Sequence, residues 1–282
     1  MNTWQPSSSV VPSWPRCGHG ADTATGPLGC PGILVPGHAV CLAHLSGTAR
    51  DAYLASVGPG ADIDLRGTPV TGELLADLRN AAVDFDAGEV NFGAVRFDGA
   101  RFSGDADFGE IRFSGPARFD GARFPEDATF VDAKFTGGGA WFDGATFTGD
   151  AWFDRARFSC DASFEEALFS GDASFEDVRI FGTAKFSGTR FTCDAWFGGA
   201  RFGGDADFSG ARFSCDALFG ESWFRGTARF DEVRFSREVI FGRARLSSEP
   251  DFGKAEFASD PDFDEAEISS GIEFDETEFS CQ

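Results

Sequence analysis

Large apolar residues recur through residues 97 to 279 at intervals that alternate between five and six, beginning with Phe97, Phe102, Phe108 and Phe113, with one slip at residues 137–139. A small or β-branched residue, usually Ala, stands two positions before each of them. An amphipathic helix needs apolar residues at i, i+3, i+4 and i+7, and a half-buried strand needs one at every second position, so neither fits. The spacing instead predicts a solenoid whose short segments each form one side of a coil and turn their Ala and Phe inward.

The residues at the corners indicate how many sides one coil has. The residue three positions before every second large apolar residue is acidic, whereas its equivalent in the intervening units varies. The acidic column is Asp105, Asp127, Asp150, Asp172, Asp194, Asp216, Glu238 and Asp260. Because the members of this column lie 22 or 23 residues apart, we predict a coil of four sides. We expect these carboxylates to accept hydrogen bonds from amides at their own corner, as in an Asx turn, rather than to hold a stripe of cations.

The interior of such a coil explains the alternation of Ala with Phe, because a narrow core cannot hold two layers of large side chains. We therefore predict an all-β solenoid of about eight coils, with strands spaced about 4.8 Å apart along its axis. The Phe side chains expected to fill the core include Phe108, Phe130, Phe153, Phe164, Phe186, Phe208 and Phe230.

The repeating unit, Ala-x-Phe-x-Gly-Ala-x-Phe-x-Gly-Asp, resembles the tandem Ala-(Asp/Asn)-(Leu/Phe)-x-x signature of the pentapeptide-repeat family. The resemblance covers about two thirds of the chain and implies that family's fold, a right-handed quadrilateral β-helix. The chain departs from the signature in the sixth residue of alternate units. That residue either widens one pair of corners or changes the square cross-section of the coil.

A second pattern lies near the N-terminus, where all three histidines and three of the seven cysteines fall between residues 17 and 44. The two-residue gap in Cys41-x-x-His44 lets one turn present both side chains to a tetrahedral ion. We predict a zinc site formed by Cys17, Cys30, Cys41 and His44, with His19 as a reserve ligand and His38 outside the shell. Three Cys and one His close the coordination shell, which favours a structural ion over a catalytic one. The alternative is a loop-rich head that binds no metal.

These patterns divide the chain into four parts: a flexible arm at residues 1–16, a zinc-binding head at 17–46, a capping segment at 47–82, and the solenoid at 83–282. Within the capping segment, Thr48 to Val57 and Thr71 to Ala81 have helical apolar spacing. Between them, residues 61–67 read as a single coil standing alone. A solenoid needs such a cap to cover its terminal strands and core.

The formal charge of −22 argues against direct binding to nucleic acid, which requires a basic surface. We find no run of 18 apolar residues and no basic start followed by an apolar stretch, and therefore expect neither a membrane span nor a signal peptide. This composition suggests a cytoplasmic, bacterial-type protein. The repeats contain no histidine, nucleophile elbow or phosphate loop, so we do not expect an enzyme.

Two functional classes agree with the sequence. The first is a scaffold that binds an unidentified protein partner through exposed aromatic and acidic side chains. The candidate interaction residues are Trp152, Trp196, Trp223, Asp260, Asp262, Asp264 and Glu267. The second follows from the family resemblance, because some pentapeptide-repeat proteins imitate the width and charge of a DNA duplex and bind bacterial DNA gyrase. A homodimer would lengthen such an acidic rod.

Overall fold

The computed structural model describes residues 13–21, 29–269 and 271–279, which form a parallel β-solenoid of about nine turns with two short helices. Strands one turn apart pair in parallel and in register, as Phe113 does with Phe135 and Ala128 with Ala151. Strands between Ala106 and Leu246 recur on four faces, so the predicted four-sided coil is confirmed. We number the faces 1 to 4 in chain order, starting at Ala106.

Faces 1 and 3 are built from Ala-x strands, and faces 2 and 4 mostly from x-Phe strands, so the chain alternates between two kinds of side. The strands of face 1 are Ala106–Asp107, Ala128–Thr129, Ala151–Trp152, Ala173–Ser174, Ala195–Trp196, Ala217–Leu218 and Val239–Ile240. Those of face 2 are Arg112–Phe113, Lys134–Phe135, Arg157–Phe158, Arg179–Ile180, Arg201–Phe202, Trp223–Phe224, Arg245–Leu246 and Glu267–Ile268. Those of face 3 are Ala117–Arg118, Ala140–Trp141, Ala162–Ser163, Ala184–Lys185, Ala206–Asp207 and Ala228–Arg229. Those of face 4 are Pro69–Thr71, Arg101–Ser103, Arg123–Phe124, Thr146–Phe147, Leu168–Phe169, Arg190–Phe191, Arg212–Phe213, Arg234–Phe235, Glu256–Phe257 and Glu278–Phe279.

The stack begins earlier than residue 83, which corrects the predicted boundary. Strand Ala61–Asp64 pairs with the long strand Glu89–Arg96, and Pro69–Thr71 pairs with Arg101–Ser103 on face 4. Residues 61–71 are therefore part of the first turn, not a coil standing alone, and the solenoid has about nine turns rather than eight. The Phe pattern hides this turn because aliphatic side chains, Ile63 among them, fill its core.

The N-terminal end of the solenoid is covered by the capping segment. Helix α1 spans Gly47–Ser56 and helix α2 spans Gly72–Ala81, close to the predicted helices. Thr71 caps α2 by accepting a hydrogen bond from the Leu74 amide at 3.1 Å. Helix α2 follows the first strand of face 4 and lies against Ala106–Asp107, where Arg79 donates to the Asp107 carbonyl at 2.7 Å. It thus covers the open edge of face 1.

Val83–Asp84 forms a short antiparallel hairpin with the start of strand Glu89–Arg96. That strand then runs along two faces, because Asn91 pairs with Arg112 on face 2 and Val95 pairs with Ala117 on face 3. In this turn the corner between faces 2 and 3 therefore lies within one continuous strand.

Stacked Phe rings fill the interior. Phe164 lies parallel to Phe142 and to Phe186 with centroids 4.9 Å apart, and perpendicular to Phe153 and Phe175 at 5.2 and 5.3 Å. Both the offset parallel and the edge-to-face arrangements are favourable for aromatic pairs. The core Phe side chains named from the sequence are all fully buried, as are the Ala residues at the start of the strands on faces 1 and 3.

The sixth residue of alternate units lies at the corners between faces 2 and 3 and between faces 4 and 1. The extra residue therefore widens one opposite pair of corners, and the section keeps its four sides. At the face 4 to face 1 corner the acidic column binds the next turn: Asp150 accepts from the Asp172 amide at 2.9 Å, and Asp172 from the Asp194 amide at 3.2 Å. The expected Asx turn at these acids is therefore wrong, because their amide partner lies 22 residues ahead.

Candidate metal centre and interaction faces

The head brings its cysteines together by pairing two extended segments. The Cys17 amide donates to the Gly32 carbonyl at 2.7 Å, and the Gly18 amide donates to the Cys30 carbonyl at 2.9 Å. Gly32 lies so close to Cys41 that an added Cβ would come within 2.9 Å of the Cys41 Cβ. The residue at position 32 must therefore be small for the third cysteine to approach.

The other two predicted ligands come from one turn. Leu42–His44 forms a 3-10 helix in which the His44 amide donates to the Cys41 carbonyl at 3.0 Å. This turn places the Cys41 Sγ 3.2 Å from the His44 Nδ1. The two-residue gap between Cys41 and His44, which predicted a shared ion, thus brings both side chains to one site.

The four side chains Cys17, Cys30, Cys41 and His44 present ligand atoms that all lie within 4.8 Å of one another. The Cys30 and Cys41 Sγ atoms are 3.8 Å apart, and the Cys17 Sγ is 3.4 Å from the His44 Nδ1. A tetrahedral ion with metal–sulfur bonds of about 2.3 Å has sulfur–sulfur edges of about 3.8 Å. The cluster therefore has the dimensions of a tetrahedral metal site.

The protonation chemistry of the cluster also suits a cation. Burial and the neighbouring Cys30 and Cys17 thiols raise the pKa of Cys41 to about 12, and burial raises the pKa of Cys30. Burial and the adjacent His19 lower the pKa of His44, which keeps its ring neutral and able to bind a metal. The Cys30 and Cys41 thiols therefore ionise with difficulty unless a bound cation balances their charge, which a metal ion would supply.

The remaining histidines lie outside this cluster. The His19 ring stacks on the His44 ring with centroids 4.1 Å apart, and His38 is exposed. His19 therefore covers one side of the ligand His44 rather than adding a ligand to the cluster.

The predicted flexible arm is only partly described, because residues 1–12 lie outside the described residues. Residues 13–16 make specific contacts with the head and with the solenoid. The Trp14 Nε1 donates to the Pro31 carbonyl at 2.9 Å, and the Arg66 guanidinium lies 5.2 Å from the Trp14 ring centroid. Arg16 forms an antiparallel bridge with Ile33. Trp14 thus joins the head to the first turn of the solenoid, a long-range contact that the Ser- and Pro-rich sequence around it conceals.

The head rests directly on the solenoid. The Ile33 amide donates to the Arg66 carbonyl at 2.8 Å, and Leu42 and Leu45 belong to the same apolar core as Leu65 and Leu74. The candidate metal cluster and the end of the β-stack therefore share hydrogen bonds and one apolar core.

The candidate tryptophans lie on two faces. Trp152 and Trp196 are both on face 1, and their rings stack with centroids 6.1 Å apart across the small side chain of Ser174. Leu218 and Ile240 continue this column on the next two turns. Trp223 instead pairs with Arg201 on face 2 and belongs to a separate surface.

The charges form stripes. Faces 2 and 4 carry columns of arginine, in which Arg157, Arg179 and Arg201 are neighbours on face 2. Near the C-terminus these columns become acidic, and Arg245 pairs with Glu267 at 3.2 Å. Asp262 continues face 1, Asp264 follows it towards face 2, and Asp260 stands at the face 4 to face 1 corner. In the last described turn all four faces carry acids.

These features define a four-sided parallel β-solenoid with a Cys3His head that could hold a metal ion. Residues 97–142, 142–190, 153–201, 164–212 and 197–245 match the family model described as pentapeptide repeats (9 copies). Because these matches together span more than half of the 282 residues, the chain belongs to the pentapeptide-repeat family. No curated protein and no solved structure matches it. In the part of the chain that the structure describes, no helix has the length and apolar character needed to cross a membrane.

Proposed function

We propose that this protein is a non-catalytic scaffold that binds a protein partner through face 1, and that its head holds a structural zinc ion. The observation that carries the proposal is the apolar column of Trp152, Trp196, Leu218 and Ile240, which is in register over successive turns. Contiguous apolar side chains on a soluble surface are typical of protein-binding sites, and tryptophan contributes strongly to such interfaces.

The donor set supports zinc among the biological metals. Thiolate and imidazole ligands in a tetrahedral arrangement suit zinc, whereas calcium and magnesium prefer oxygen ligands. Cys17, Cys30, Cys41 and His44 would hold the ion and leave no position for a substrate. The ion would therefore order the head rather than take part in a reaction.

Site-specific photo-crosslinking tests the face 1 surface. A benzophenone amino acid placed at Leu218 in cells of the source organism should give a discrete protein adduct, whereas the same group at Lys185 on face 3 should not. The purified partner should bind the Trp196→Ser variant at least about thirtyfold more weakly, because truncating a central interface tryptophan costs about 2 kcal/mol or more. Serine already occupies this column at Ser174, so the substitution suits the fold.

Trp141→Ser is the matched control, since Trp141 lies on the opposite face 3. Equal adducts from both crosslinking positions, or equal loss of binding in the two tryptophan variants, would contradict a binding surface on face 1.

The second candidate function is imitation of DNA at gyrase, and the acids on all four faces of the last described turn favour it. The arginine columns of faces 2 and 4 oppose it, because a phosphate backbone presents continuous negative charge. We therefore expect the purified protein at micromolar concentration to leave gyrase supercoiling unchanged, with and without a quinolone. Inhibition or protection that disappears when the acids from Asp260 to Glu278 are replaced by Ala would establish DNA imitation instead.

A further inference from the structure

A notch interrupts the regular surface at the corner between faces 2 and 3. The residue after each face 2 strand is Ser or Thr in most turns, but Phe181 stands there in one turn and Gly203 in the next. Phe181 is 65% exposed, and a depression that Gly203 also lines lies beside it. Trp223, 37% exposed, closes the far side, where its Nε1 donates to the Ser247 Oγ at 3.3 Å.

The size of the notch limits what it can hold. Its volume is about 220 Å³, below the range of about 300 to 1,000 Å³ that is usual for cofactor and drug-sized ligands. Its apolar lining comes from Phe181, Trp223, Phe202, Ile180 and Gly203. A single apolar side chain fits such a space.

Three arginines line the same notch as these apolar residues. Arg179, Arg201 and Arg225 line the notch, and the Arg225 guanidinium lies 5.4 Å from the Trp223 ring centroid. Within the described residues none of the three forms an ion pair, although Arg245 further along face 2 pairs with Glu267. Adjacent unpaired cations repel one another, and they are conspicuous in a chain whose net charge is −22. A bound carboxylate would relieve that repulsion.

The chemistry of the rim selects among anions. A guanidinium group presents two parallel N–H donors that match a carboxylate or a phosphate. A nucleic acid strand also offers rings and anions, but the acidic corners repel a ligand in proportion to its total charge. A peptide with one or two carboxylates escapes most of that repulsion and still satisfies the arginines.

We propose that the notch binds a short segment of a protein partner in which an aromatic side chain is flanked by acidic residues. The aromatic ring occupies the space above Gly203 between Phe181 and Trp223, and the carboxylates pair with Arg179, Arg201 and Arg225. This site lies on face 2 and at its corner, so it is independent of the face 1 column.

Calorimetric titration with the blocked pentapeptide Gly-Glu-Phe-Glu-Gly tests the proposal. The full-length protein should bind it saturably, and Arg201→Gln should weaken binding by about tenfold, because a charge-assisted hydrogen bond is lost. Trp223→Arg and Phe181→Ser should weaken it similarly. Both place in the notch a residue that the same column carries in other turns, as at Arg179 and Ser159, so the solenoid should remain folded.

The matched control is Arg190→Gln, which removes an arginine from face 4 that is likewise exposed and forms no ion pair within the described residues. It should change the affinity less than about twofold, which is within the effect of a distant exposed charge. Peptides with Gln in place of Glu, or Ala in place of Phe, should not bind. Absence of saturable binding to the wild-type protein, an equal effect of Arg190→Gln and Arg201→Gln, or tighter binding of a thymidine oligonucleotide than of the peptide would overturn the proposal. Unchanged melting temperatures of the variants confirm that the lost affinity arises at the notch.

Discussion

Replacing Phe164 with alanine should lower the free energy of unfolding by about 3 to 5 kcal/mol. The ring is fully buried and is packed on both sides along its column and on two sides across the core. The walls cannot collapse into the resulting cavity, because each turn is held to the next by backbone hydrogen bonds such as that from the Phe164 amide to the Lys185 carbonyl at 2.8 Å. Guanidinium denaturation followed by circular dichroism measures the change.

The same fold supplies the control for this measurement. Phe181→Ala removes the same side chain from a position that is 65% exposed and should change stability by less than about 0.5 kcal/mol. A loss at Phe164 no larger than the loss at Phe181 would show that the stacked rings do not form the stabilising core.

The solenoid could be predicted from the sequence because every turn obeys the same local rule. A large residue at intervals of five and six, usually with Ala two positions earlier, determines which side chains face inward, and the seven core Phe side chains named from the sequence are all buried. The Cys/His cluster could be predicted for a different reason. Cysteine and histidine are rare in this chain, so their concentration between Cys17 and His44 was informative without any periodicity.

The features that the sequence concealed depend on contacts between turns. Ile63 and Val70, rather than Phe, fill the interior of the first turn. The Phe pattern therefore misses this turn, and only the strand pairing shows it. The Asp150 carboxylate has its hydrogen-bond partner 22 residues ahead, beyond any local turn rule. The notch at Gly203 is visible only when the corner residues of successive turns are compared.

Removing the metal should unfold the head while leaving the middle of the solenoid intact. We expect about one zinc ion per chain by elemental analysis, and Cys41→Ser should abolish its binding, because structural zinc sites require their complete ligand set. Structural zinc binds small domains with free energies of about 10 to 16 kcal/mol. The few apolar contacts of the head could not replace that much stabilisation. His19→Ala and His38→Ala should retain the ion, since neither ring belongs to the cluster.

Cys193→Ser is the matched control for the metal site, because the Cys193 thiol lies at a solenoid corner and donates only to the Ser170 carbonyl at 3.2 Å. It should bind zinc as the wild type does. Amide hydrogen exchange then locates the damage in Cys41→Ser: protection should be lost at Ile33 and around Leu42, where the head meets the first turn, and kept at Phe164. Full protection of the head without zinc would instead establish the loop-rich, metal-free cap. Ile33 is the key position in this comparison of amide exchange with and without zinc. Its amide donates to the Arg66 carbonyl and so connects the head to the end of the β-stack.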